Sequence, residues 1–63
     1  MNTISELRAW CSQKIEENPH EAEEINSYFV LAMDEIEAGE SESHEIELCV
    51  ECVNQLVGTH DHS

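Results

Sequence analysis

Apolar residues return every three or four positions along most of the chain, with polar residues filling the gaps. Ile4, Leu7, Cys11 and Ile15 fall on one stripe, with Trp10 at its flank. Ala22, Ile25, Phe29, Ala32 or Met33, and Ile36 form a second and longer stripe. Ile46, Cys49, Val50, Val53, Leu56 and Val57 form a third. A repeat near 3.6 places such residues on one face of an α-helix, whereas a strand would alternate with period two, which no segment does for long. The pattern predicts an all-α chain with three short amphipathic helices over residues 4–17, 19–38 and 44–57. Short links between them predict a three-helix bundle, or a helical hairpin with a third helix folded across it. A polar tail over 59–63 is expected to fray.

The few helix-breaking residues sit where these boundaries fall. Thr3-Ile4-Ser5-Glu6 reads as a capping box, in which the Thr3 hydroxyl and the Glu6 carboxylate accept reciprocal backbone N–H groups. Asn18-Pro19 ends the first helix, because the residue before proline is pushed out of the α region. The same dipeptide is expected to open the second helix, with Asn18 as N-cap, Pro19 in the first position and Glu21 completing an Asn-x-x-Glu box. Gly39 is the natural residue beyond its end, and Gly58 the expected stop of the third. Ser41 and Ser43 in the polar link are alternative N-caps for that third helix.

Sixty-three residues make one domain, spanning 1–63, with a small core, and chains of this size often add a disulfide, a metal or a second subunit. Leu48 and Cys52 lie off the third stripe, and Tyr28 and Val30 broaden the second. That surplus apolar surface is what a homodimer would cover. Fifteen Asp and Glu against Arg8 and Lys14, a formal net charge of −13, would oppose such self-association, so monomer and dimer both stay open. The charge also rules against direct nucleic-acid binding, which needs clustered Lys and Arg to displace counterions. Adsorption to an anionic membrane is disfavoured for the same reason, and no run reaches the ~18 apolar residues of a membrane span. The first residues lack the basic and apolar regions of a secretory signal, and an odd number of cysteines fits a reducing cytoplasm. The partner that an acidic surface favours is a protein with a basic surface, although such a surface can equally serve only for solubility.

Candidate chemistry is sparse. Cys49-Val50-Glu51-Cys52 followed by His60 and His62 offers two thiolates and two imidazoles, the donor set of a structural zinc site. The pair lies inside a helical repeat without Gly or Pro, however, and residues 53–59 leave little chain for the ligands to turn back, so two ordinary helix cysteines are the better expectation. Thioredoxin-like chemistry fits worse, because Cys49 sits mid-helix among Glu45, Glu47 and Glu51. Cys11 with His20 has neither an orienting third group nor an oxyanion hole. Carboxylates at almost every polar position describe a solvated face, not a contrasting acid–base pair, so neither catalysis nor a cofactor is expected. Binding is left to Glu17, Glu21 and Glu24 around the start of the second helix, to Asp34 and Glu37 near its end with Glu40 and Glu42 in the link, and to Tyr28 as a rigid aromatic anchor. Rows of carboxylates can also stand in for duplex phosphates, which makes a DNA-mimicking inhibitor a second reading and a small zinc-stabilised module a third.

An acidic, cysteine-bearing chain of 63 residues, beginning MNTISELRAW and ending GTHDHS, resembles the small early proteins encoded between the exonuclease and excisionase genes of lambdoid bacteriophages. The resemblance extends over the whole chain but rests on no diagnostic motif. It implies a non-essential cytoplasmic regulator, made early in infection of an enteric bacterium, that biases the choice between lysis and lysogeny and disturbs the host cell cycle. The proteins of that region carry no known catalytic residues, so no functional position transfers to this chain.

Overall fold

A computed structural model describes residues 1–58, and its three helices are α1 (Ile4–Glu17), α2 (Ala22–Glu37) and α3 (Glu42–Gly58). The predicted tail over 59–63 lies outside the described residues. The α2 helix packs against both α1 and α3, which meet each other over a shorter stretch. No strand occurs among the described residues, and none of the helices there is long and apolar enough to cross a membrane.

Each helix contributes the centre of its apolar stripe to one shared core. Leu7 and Cys11 come from α1, Ile25, Phe29 and Ala32 from α2, and Ile46, Cys49 and Val53 from α3. The spacings of three and four keep these residues on one face, and they meet because burying each large aliphatic side chain is worth about 1.5–3 kcal/mol. Ile4, Trp10, Ile15, Tyr28, Met33, Val50, Leu56 and Val57 pack around them at partial burial. Of the two alternatives in the second stripe, Ala32 takes the inner position and Met33 the flank. Ala32 leaves little bulk between the neighbouring helices.

The α1 helix begins as its sequence predicts. The Thr3 hydroxyl accepts the Glu6 N–H, and the Glu6 carboxylate accepts the Thr3 N–H, each at 3.2 Å, completing the box. A tertiary bond adds to it: the Glu42 carboxylate, from the first turn of α3, accepts the Ile4 N–H at 3.0 Å. Two carboxylates therefore cap the positive end of α1, and one ties it to α3.

The α1–α2 corner corrects the expected Asn18-x-x-Glu21 cap. The Asn18 side-chain amide turns back and donates to the Lys14 carbonyl at 3.0 Å, closing α1 instead of opening α2. Residues Pro19–Glu21 form a 3-10 turn without a side-chain cap at Asn18, and α2 proper starts at Ala22, three residues later than expected. Proline supplies the constraint: it holds Asn18 out of the helical region, so the chain must turn tightly before a helix can resume.

The α2–α3 link follows the expected chemistry with a shifted start. Gly39 adopts φ +108°. The Gly39 N–H donates to the Ile36 carbonyl at 3.1 Å and the Glu40 N–H to the Glu35 carbonyl at 3.0 Å, the paired bonds of a Schellman motif. The α3 helix begins at Glu42, two residues before the expected 44, because the Ser41 hydroxyl, and not Ser43, accepts the His44 N–H at 3.4 Å. Gly58 does not stop α3 before 58 but is its last described residue.

Two stability predictions follow from this packing. Phe29 is 8% exposed and lies under the Arg8 guanidinium, so Phe29→Ala should cost about 3–5 kcal/mol. Circular dichroism melting is expected to show the variant largely unfolded at room temperature, and an unaltered melt would remove Phe29 from the core. Glu6 titrates below its ordinary value of 4.5, chiefly because the Asn2 N–H donates to its carboxylate and then because the Thr3 hydroxyl does. A depressed folded-state pKa gives stability that is present above pH 4.5 and lost as acid titrates the folded carboxylate. Glu6→Gln should therefore melt earlier than the natural chain at neutral pH, with the two melts converging in acid. A gap that persisted unchanged at low pH would contradict this.

Candidate partner-binding surface

The face shared by α2 and α3 carries exposed apolar side chains and no Lys or Arg. Both residues of those types lie on α1. The Arg8 guanidinium carbon stands 5.5 Å from the Phe29 ring centroid, with a guanidinium N–H donating to the Met33 sulfur at 3.9 Å. The Lys14 ammonium stands 5.3 Å from the Trp10 ring centroid and 3.7 Å from the Glu17 carboxylate. Each long side chain lays its stem and charge across an aromatic flank of the bundle, a cation–π arrangement that covers apolar surface. The furrow between α2 and α3 has no Lys or Arg among its lining residues.

Between the outer edges of these two helices runs an apolar furrow of about 200 Å³. Tyr28 and Leu31 line it from α2, Leu48 and Cys52 from α3, and the buried Ala32 and Cys49 form its floor. Leu31 is 57% exposed and Leu48 43%, which is unusual for two leucines converging on one depression. Carboxylates of Glu35 and Glu45 stand at the rim. The volume falls below the ~300–1,000 Å³ of ordinary small-molecule sites and suits inserted side chains better. A second furrow between α1 and α2, about 210 Å³, contains Val30 at 41% exposure but is crossed by Arg8. A wider depression of about 690 Å³ lies beside the N-terminus, where Met1 and Asn2 face Ile46, Glu47, Val50 and Glu51 of α3.

The expected binding residues do not form one continuous face. Glu17, Glu24, Asp34 and Glu37 are exposed, as the solvated-face pattern required. Glu17 is engaged locally, accepting from the Gln13 amide at 3.2 Å as well as pairing with Lys14. Glu21 departs from expectation: it is only 9% exposed, packed into the α1–α2 corner, and cannot share an outward face with Glu17 and Glu24. It is not left unpartnered there, and no buried side-chain oxygen or nitrogen among the described residues is unsatisfied. Tyr28 is half-buried and lies at the furrow, where Leu31 joins it. Leu31 falls outside the second stripe and so gave no core signal. An apolar residue off the stripe, with Leu48 similarly off the third, was the available clue.

The cysteines are arranged as core residues. Cys11 and Cys49 are both buried, with their thiols neighbouring one another in the core shared by α1 and α3. The Cys11 thiol beside it, and then burial, push the Cys49 thiol above the ordinary thiol range. Among the described residues no group of three or more His, Cys, Asp or Glu side chains could hold a metal ion, and His60 and His62 lie outside them. His20 is exposed in the 3-10 turn while Cys11 faces Cys49, so those two do not form a nucleophile and base. No family model, curated protein or solved structure matches the chain.

Thiol alkylation read by mass spectrometry should find Cys52 modified first under native conditions. Cys11 and Cys49 should stay protected until the bundle opens, because both are buried. Equal rates at all three positions would show that the α1–α3 contact is open in solution.

Proposed function

We propose that this chain is a non-enzymatic regulator that acts by binding a host or phage protein with a basic surface. The observation that supports it most is the uncompensated charge. Every described carboxylate except Glu21 and the half-buried Glu45 is exposed, and Lys14–Glu17 is the sole ion pair among the described residues. Such a surface raises the encounter rate with a cationic partner and repels nucleic acid and anionic membrane. In this reading, which the resemblance to the early proteins of lambdoid phages supports, the binding takes place in the cytoplasm of an infected enteric bacterium. There it would bias the choice between lysis and lysogeny. Within the same reading, occupation of a DNA-binding groove is the narrower case in which the partner is itself a nucleic-acid-binding protein.

The test is affinity capture by the tagged protein from lysate of infected and uninfected cells, at low and high ionic strength. A basic protein should be retained at low salt and released near 1 M, where the Debye length shrinks to about 3 Å. The variant carrying Glu24→Gln, Asp34→Asn and Glu37→Gln should retain less of it. Displacement by duplex DNA would assign the partner's DNA-binding groove as the contact. Capture indifferent to both salt and the triple substitution would sink the electrostatic basis of the function.

A further inference from the structure

We propose that the α2–α3 furrow is the docking site for a basic amphipathic helix of the partner, whose apolar face seats against Tyr28, Leu31, Leu48 and Cys52 while its Lys and Arg meet the surrounding carboxylates. The assignment rests on the basic-partner function proposed above and adds to it a place and a shape. Its first support is the pairing of exposed leucines across one depression. Leu31 and Leu48 are among the largest exposed apolar residues of the molecule, yet they converge from different helices on a floor of Ala32 and Cys49. A groove between two parallel ridges, too small for an ordinary ligand, fits side chains presented every three or four residues by a third helix.

The second support is charge complementarity. Residues three and four apart are neighbours on a helix surface. Asp34 and Glu35 therefore stand one turn from Leu31, Glu45 and Glu51 one turn from Leu48, and Glu24 one turn from Tyr28. All but the half-buried Glu45 are exposed, and neither α2 nor α3 has a Lys or Arg. An apolar strip flanked on both sides by carboxylates selects a ligand that is apolar in the middle and cationic at its edges. A second copy of this chain would press the same carboxylates against one another, which selects against it. The α1–α2 furrow differs in both respects, since Arg8 crosses it and places a cation over Phe29.

The probe is a synthetic amphipathic helix of leucines and lysines, titrated into the full chain by isothermal calorimetry. It is compared with a scrambled peptide of the same composition and with a version in which glutamates replace the lysines. The amphipathic cationic peptide should bind best, and the variant carrying Leu31→Ser and Leu48→Ser should weaken it by about tenfold or more, as loss of two central apolar anchors does. Both leucines are exposed, so circular dichroism should show the fold retained, and Val30→Ser, in the other furrow, should leave affinity unchanged. Equal binding of the scrambled peptide, indifferent to Leu31→Ser/Leu48→Ser, would overturn the docking site while leaving the basic-partner function standing. Binding of neither cationic peptide would overturn both. Equally tight binding of the glutamate version would overturn the cationic character of the occupant. A concentration-dependent dimer abolished by the same two substitutions would assign the furrow to a second copy and overturn the proposal.

Discussion

Apolar burial between helices is the interaction on which everything else in this molecule depends. A chain with fifteen acidic and two basic residues cannot hold itself together by ion pairs. The one pair among its described residues joins Lys14 and Glu17 within a single helix, where such contacts are worth about 0.3–0.5 kcal/mol. Repulsion between carboxylates acts continuously against compaction. The opposing term comes from eight side chains, with Ile25, Phe29 and Ala32 of α2 meeting α1 on one side and α3 on the other. Because α2 is the shared partner, loss of its stripe would release both neighbours at once.

The remaining polar contacts manage charge more than they supply stability. Glu6 and Glu42 place carboxylates at the N-terminus of α1, where unsatisfied amides and the helix dipole welcome them. Arg8 and Lys14, the only strong cations, lie over Phe29 and Trp10 and shield flanks of the bundle. Both sit on α1, so the molecule is electrically lopsided. The α2–α3 furrow has carboxylates but no Lys or Arg among its lining residues, and Leu31 and Leu48 remain exposed there. An apolar furrow bordered by negative charge is a costly surface to leave facing water.

The same small core explains why the cysteines are better understood as packing than as chemistry. Cys11 and Cys49 fill buried positions in the core that α1 and α3 share. Thiols are compact, soft and tolerant of close helix approach, which suits a junction where a larger side chain would force the helices apart. The Cys-x-x-Cys spacing thus arises from one residue facing inward and another, one turn later, at the edge of the furrow.

The helices were legible from the sequence because their causes are local. Periodicity near 3.6, the Thr3–Glu6 box, Pro19 and Gly39 each act over a turn or two, and the first helix runs over the residues that the pattern predicts. The inner positions Leu7, Cys11, Ile25, Phe29, Ile46, Cys49 and Val53 are readable for the same reason, since spacing alone puts them on one face. What depended on other helices was not readable. Asn18 and Glu21 look like a cap in sequence, yet the tight corner turns the Asn18 amide backward and buries Glu21, and only the packing of α1 against α2 decides that. Glu42 reads as a link residue until the fold brings it to the Ile4 amide. Leu31 and Leu48 are two stray apolar residues seventeen positions apart until α2 and α3 lie side by side and make them the walls of one furrow. Sequence by itself determined the helices, their inner faces and the excess of negative charge, all short-range or additive properties. Tertiary structure alone decided which residues meet, because contact between distant segments is set by how three stripes share one small core.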